Sequence, residues 1–316
     1  MDNAILFPAS GIIPTRNRHV ALGATIESLS RQSIQPAEII IIDASDGIET
    51  QELCKSKIQG LQSAIKYLKA VTRGAAPQRN EGVAVAHFDY IFFMDDDLLF
   101  EPHCLERLFS AIQSDPNLGG VNAMITNQKY HPPGRVSQLL FRYLNGQRLE
   151  SYAGKCLGPV MNLLPEDRED LPEVVPVEWL NTGCTIYRRA SLPNPPFPNF
   201  FTGYSMFEDV TISMTVGKSW KLANARTAKV YHDSQPGEYK KSLLALSKME
   251  LVNRYYVTTR ILNRKGIKNM LKLVVTETYK VSAYLQSFQG IRKLPMVIAG
   301  KLAGIAEIIK TARYAD

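Results

Sequence analysis

The stretch YIFFMDDDLLF, residues 90–100, carries three consecutive carboxylates, Asp95, Asp96 and Asp97, inside an apolar run. A segment built only for a core has no use for three adjacent charges that repel one another. A strand ending at the open edge of a parallel sheet does, because ligands bind beyond the carboxyl ends of such strands. If extended geometry continues, Asp95 and Asp97 point to one side and Asp96 to the other. A divalent cation would relieve the repulsion, and hard oxygen ligands suit Mn²⁺ or Mg²⁺. The competing reading is a solvated acidic turn with a helix-capping Asp, and the motif alone leaves the two level.

Working outward, strand and helix patterns alternate over the first 126 residues. SGIIPT reads as a short buried strand, and ALGATIESLSRQ as a helix with Leu22, Ile26 and Leu29 at helical spacing. PAEIIIID is a continuous β-branched run suited to a sheet buried on both faces. ELCKSKIQGLQS reads as helix, AIKYLKAV as a weaker strand, and AAPQRNEGVAVAH as a helix with Pro77 in its first turn. After the acidic strand come a helix, PHCLERLFSAIQSD, and a strand, LGGVNAMIT. This order predicts an α/β fold with a mostly parallel sheet flanked by helices. Between about 127 and 177 the pattern breaks into loops around a short helix or hairpin. VEWLNTGCTIYRR then reads as strand, FEDVTISMTVGK as helix and WKLANARTAKVYH as strand. Beyond 238 the chain reads as helix, with breaks near Gly266 and at QGIRKLP. The expected division is residues 1–237 and a helical appendage, 238–316.

Composition bounds the function. The 316 residues are 45% hydrophobic and 21% charged, with a net charge of +7 and a pI near 9.1. That balance favours anionic partners without choosing among them. The four cysteines are scattered and form no C-x-x-C or Cys/His pattern, which argues against zinc and for buried thiols in a reducing compartment. The sequence shows no signal-peptide pattern and no run of about 18 apolar residues. A cytoplasmic location follows as the expectation. No nucleic-acid-binding signature accompanies the positive charge, and acids stand where a basic groove would be needed.

Three further segments join the acidic one. IIPTRNR ends the first strand, QPAEIIIIDASDG ends the second with Asp43 and Asp46, and RGAAPQRNEG carries Arg73 and Arg79. A carboxylate at a strand end can accept hydrogen bonds from a base or a ribose, and arginines there suit phosphate. Singly, each also reads as a turn or a solvated charge. In this order the four segments resemble the family 2 glycosyltransferases of the GT-A fold, over roughly residues 9–235. The resemblance implies a nucleotide site made by Pro14, Thr15, Arg18, Asp43, Asp46, Arg73, Arg79, Asp95 and Asp96. It implies a metal, Mn²⁺ or Mg²⁺, on Asp97, Asp95 and His232, the last from AKVYHDS.

In the second half, NTGCTIYRRASL precedes FTGYSMFEDVTISM. By resemblance Asp209 is the catalytic base and Glu208 its neighbour; an acidic pair also suits any helix N-terminus. The implied reaction is inverting transfer of one sugar from a nucleoside-diphosphate sugar to the hydroxyl of a saccharide or lipid-linked saccharide. Bacterial surface polysaccharide or glycolipid assembly is the setting the resemblance suggests. The Q-x-x-R-W motif of processive members is absent, and DASDG stands where D-G-S is expected. The alternative is a non-catalytic nucleotide-sugar binding module. The basic amphipathic stretch 264–312 reads either as a membrane-surface element, which would make the protein peripheral at the inner face of the cell membrane, or as an appendage packed on the core or in a homo-oligomer.

Overall fold

A computed structural model describes residues 4–235 and 242–312. They form two compact units: residues 4–131, 153–155 and 164–235 make the first, and residues 132–152, 156–163 and 242–312 make the second. The expected boundary at 237/238, and the expected start of the C-terminal helices, lie outside the described residues.

The first unit opens as a βα series. Strand β1 (Ile5–Thr15) is followed by helix α1 (His19–Ser30), β2 (Ile34–Asp43), α2 (Glu49–Lys55), β3 (Ala64–Lys69), α3 (Ala75–Val85) and β4 (Tyr90–Met94). β1 pairs in parallel with both β2 and β4, and β2 with β3. Ile39 to Ile42 of β2 are all fully buried, so the β-branched run is covered on both faces as expected. Leu22, Ile26 and Leu29 turn the predicted face of α1 into the same core. Gly82 of α3 lets the helix close on the sheet, since a Cβ there would stand 2.6 Å from the Ile12 side chain. The mixed α/β architecture with a C-terminal helical region is thus as read from the sequence.

The second part of this unit departs from simple alternation. A short strand, β5 (Leu98–Phe100), follows the three aspartates, then α4 (Cys104–Gln113) and β6 (Leu118–Ile125). β9 (Val174–Val177), β10 (Cys184–Arg188), α6 (Glu208–Val216) and β11 (Lys221–His232) complete it, after α5 (Arg135–Asn145), β7 (Cys156–Leu157) and β8 (Met161–Asn162) of the other unit. The strand order is β3-β2-β1-β4-β10-β6-β11-β5, with β9 also on β11. β10 is inserted antiparallel between β4 and β6. It starts only at Cys184, because Asn181–Gly183 form the turn that meets the end of β4, where the Asp95 N–H donates to the Gly183 carbonyl at 2.8 Å.

The second unit holds α5, the β7–β8 hairpin, α7 (Leu243–Tyr256), α8 (Ile267–Ser282) and α9 (Phe288–Ala312). Phe141, Leu144, Tyr152, Leu157 and Met161 form its apolar cluster, with Tyr279 against it. The break near Gly266 is present, but the break expected at QGIRKLP is not: α9 runs through Pro295. Proline removes one helical hydrogen bond and crowds the preceding turn. Close packing on α7 offsets this. A Cβ on Gly300 would lie 2.5 Å from the Leu244 carbonyl oxygen, and one on Gly304 3.2 Å from Leu251.

Candidate active site

The carboxyl ends of β1, β2 and β4 lie side by side, with Thr15 in register with Asp43. Asp96 and Asp97 lie in a turn after β4 rather than in extended chain, so the alternation expected of them does not continue, and the two are equally buried. Asp96 accepts from the Thr15 hydroxyl at 2.6 Å and from Arg18 at 3.0 Å. Burial pushes its carboxyl up to about 6, against the pull of Arg18 and Thr15. Asp97 also meets Arg18, at 3.4 Å, and accepts from the Gln235 N–H at 3.1 Å. Its other oxygen lies 3.0 Å from His232 Nε2. Burial opposes ionisation of Asp97, but the His232 hydrogen bond and charge, the Gln235 N–H and Arg18 hold it below the ordinary aspartate range.

Asp95, Asp97 and His232 each present one ligand atom, all within 4.8 Å of one another. Two carboxylate oxygens and an imidazole nitrogen fit a cation such as Mn²⁺, and the set has room for further ligands. β11 supplies His232 because it pairs with β5, where His232 stands opposite Leu98, the residue after the aspartates. Gly183 leaves the space Asp95 needs: a Cβ there would be 2.8 Å from Asp95 Oδ2.

The third group centres on Arg79, which is 2% exposed. Its guanidinium donates to Asp95 at 2.6 Å and, from its other terminal nitrogen, to Glu208. The residue expected to bind nucleotide thus faces carboxylates and ties the end of β4 to the start of α6. Burial lifts Glu208 to about 7, with Arg79 opposing and Asp209 and Asp95 adding to the rise. Burial likewise lifts Asp209 to about 6, though part of its surface stays open to solvent. Glu208 Oε2 and Asn181 Oδ1 are buried without a hydrogen-bond partner among the described residues. The loop before α6 holds Ser205 and Phe207 at φ of 55° and 69°, a left-handed conformation that costs a non-glycine residue energy and recurs at functional sites.

The second strand end is separate from these. Asp43 is fully buried, accepting from the Ser45 N–H at 2.8 Å and the Tyr67 hydroxyl at 3.0 Å, with Lys69 at 3.8 Å. Asp46 is exposed and pairs with Arg73 at 2.7 Å. Pro14, partly buried, is in register with Ile42 on this side. Tyr67, Lys69, Asn181, Thr182 and Tyr204 were not singled out from the sequence. Burial, and after it the carboxylates Asp95, Asp209 and Glu208, raise the Tyr204 hydroxyl pKa. Its signal was only a tyrosine in a glycine-containing loop.

Residues 10–165 match Glycosyl transferase family 2. The chain is 36% identical over 105 residues to poly(ribitol-phosphate) beta-N-acetylglucosaminyltransferase TarP of Staphylococcus aureus (strain N315), covering 32% of this chain and 32% of TarP. Two solved structures share the fold at a TM-score of 0.54 each. The mannosyltransferase PcManGT from Pyrobaculum calidifontis, in complex with GDP-Man and Mn²⁺, is 13% identical and aligns over 98% of this chain and 80% of its own. TarS 1-349 of S. aureus, in complex with UDP-GlcNAc, is 15% identical and aligns over 93% and 79%. At such identities they show the fold alone. Motif order, matched segment and fold agree: the chain carries a family 2 glycosyltransferase domain over residues 10–165, on a GT-A fold.

Proposed function

We propose that the protein transfers one sugar from a nucleoside-diphosphate sugar to an acceptor hydroxyl, with inversion at the anomeric carbon. The observation that carries this reading is the chain Asp97–His232, Asp95–Arg79–Glu208, with Asp209 next to it. One buried arginine holds Asp95 of the candidate cation site at one end and Glu208, the neighbour of the candidate base, at the other, which supports the reading. Residues 1–237, apart from 132–152 and 156–163, which belong with the C-terminal helices, would hold donor and acceptor, with 238–316 as the appendage.

Asp95, Asp97 and His232 would hold Mn²⁺ or Mg²⁺, which when bound neutralises the departing diphosphate. Arg18, fixed by Asp96 and Asp97, adds positive charge at the same strand ends. Asp43, Asp46 and Arg73, with Pro14 and Thr15, would frame the nucleoside. Asp209 accepts the acceptor's hydroxyl proton. The acceptor oxygen bonds to the anomeric carbon as the bond to the diphosphate oxygen breaks, and the electron pair leaves with the nucleoside diphosphate. Arg79 orients Asp95 and Glu208. The unpaired oxygens of Asn181 and Glu208 support hydrogen bonding to a sugar hydroxyl. The TarP likeness supports a bacterial surface-polysaccharide acceptor, and the neighbours with bound GDP-Man, UDP-GlcNAc and Mn²⁺ support the donor class and the metal.

The test is thermal stabilisation by UDP, GDP, dTDP and CDP, each with and without Mn²⁺, in wild type and Asp97→Asn. A ligand specific to the folded state raises Tm by mass action. One nucleotide should stabilise only with Mn²⁺, and Asp97→Asn should remove the effect. Stabilisation by none of them would remove the reading.

A further inference from the structure

We infer that the outward faces of α8 and α9 seat this chain on the surface of an anionic lipid bilayer. The inference stands apart from the glycosyl-transfer reading and needs only the second unit.

Two stripes of large apolar side chains carry it. On α8, Ile267, Leu271 and Val274 are 81%, 55% and 61% exposed, at spacings of four and three residues. On α9, Leu302, Ile305 and Ile309 repeat the pattern at 61%, 46% and 50%. Exposed apolar residues are usually scattered singly; contiguous ones mark an interaction face. Neither helix is long and apolar enough to cross a membrane. A helix with a periodic apolar stripe and flanking cations lies in the interface instead.

Charge selects the partner. Residues 242–312 contain only three acids, Glu250, Glu277 and Glu307. All three are taken up by cations within the unit. Glu250 meets Arg254, Lys280 and Lys301; Glu277 meets Arg254 and Lys301; Glu307 meets Lys248. Lys265 and Lys268 at the start of α8, and Arg292 and Lys293 near the start of α9, are exposed. The outward surface of these helices therefore offers apolar side chains and positive charge, with Glu250 and Glu277 largely buried in the unit and the part-exposed Glu307 neutralised by Lys248. A second copy of this chain would bring the same cations against themselves. An anionic headgroup layer over an acyl interior complements both features.

The test is flotation of the full chain with phosphatidylcholine vesicles, alone or with about a third phosphatidylglycerol, at about 50 mM and about 500 mM salt. Binding is expected only to the anionic vesicles, and to weaken at high salt. Lys265→Glu/Lys268→Glu and, separately, Leu271→Ser/Leu302→Ser should each lower partitioning roughly tenfold or more, with Tm unchanged because all four side chains are at the surface. Absence of binding to anionic vesicles at low salt would overturn the inference. So would binding that neither variant weakens, or an oligomer in solution that Leu271→Ser/Leu302→Ser dissolves without any vesicle binding.

Discussion

Burial lifts Asp209 to about 6 and Glu208 to about 7, so these neighbouring carboxylates are stronger bases than free ones. Of the two, only Glu208 is tied to Arg79 by a hydrogen bond, which supports Asp209 as the proposed base. A raised pKa means the base form exists above it and is lost below it. The rate should therefore be level above pH 7 and fall as pH drops through about 6, with a slope approaching tenfold per unit, as kcat/KM profiles will show. Asp209→Asn should lower kcat by roughly 10²–10⁴-fold while nucleotide-dependent stabilisation persists, because it removes the base and leaves the strand-end cluster intact. Loss of nucleotide binding in that variant would move Asp209 out of the base role. The meeting of Asp95, Asp97 and His232 was legible from residue type and motif order; the turn at Asp96 and Asp97, which brings both to Arg18, was not, because alternation holds only while the chain stays extended. The placement of Arg79 was not, because which charge faces which is a matter of tertiary distance, and residues 79 and 208 are 129 positions apart.

Among elements, the βα series at the start was legible because each piece carries its own periodicity. The antiparallel insertion of β10 was not, because apolar alternation is the same in either direction and only pairing with β4 and β6 fixes it. Pro295 misled for a related reason: its local cost is real, but α9 is held by its packing on α7. A buried charge cluster adds to that hold. Arg254 of α7, 1% exposed, binds Glu250 and Glu277, while Lys301 of α9 reaches both glutamates. Burial opposes the Glu250 charge, but Lys280, Arg254 and Lys301 hold its pKa at about 2, below its unfolded value. Its stabilising effect is thus complete above about pH 4.5 and lost as pH falls towards 2. Glu250→Gln leaves three cations short of a partner and should destabilise the second unit by about 3–5 kcal/mol at neutral pH, with much of that difference gone near pH 2. Denaturant melts of the two proteins across pH, followed by helical ellipticity, measure both parts.

At the scale of the whole molecule, the second unit is discontinuous in sequence. Residues 132–152 and 156–163 belong with 242–312, although they lie between strands of the sheet unit. The broken pattern at 127–177 was visible in the sequence, but its destination was not, because neither α5 nor the β7–β8 hairpin carries a local signal naming its partner. Tyr279 packs against the Phe141–Leu144–Tyr152–Leu157–Met161 cluster and its hydroxyl meets Ser137 at 2.7 Å; Lys272 donates to the Leu144 carbonyl at 2.7 Å, and Arg254 to the Pro159 carbonyl at 3.4 Å. A chain cut after residue 235 loses every one of these partners at once. Its residues 132–163 would then hold an apolar cluster too small to stand by itself. Brief proteolysis, with the cut sites mapped by mass spectrometry, should find residues 132–163 cleaved in the shortened chain and protected in the full one. Equal protection in both would mean that the segment folds without α7, α8 and α9, and that the second unit is not the cooperative body its packing implies.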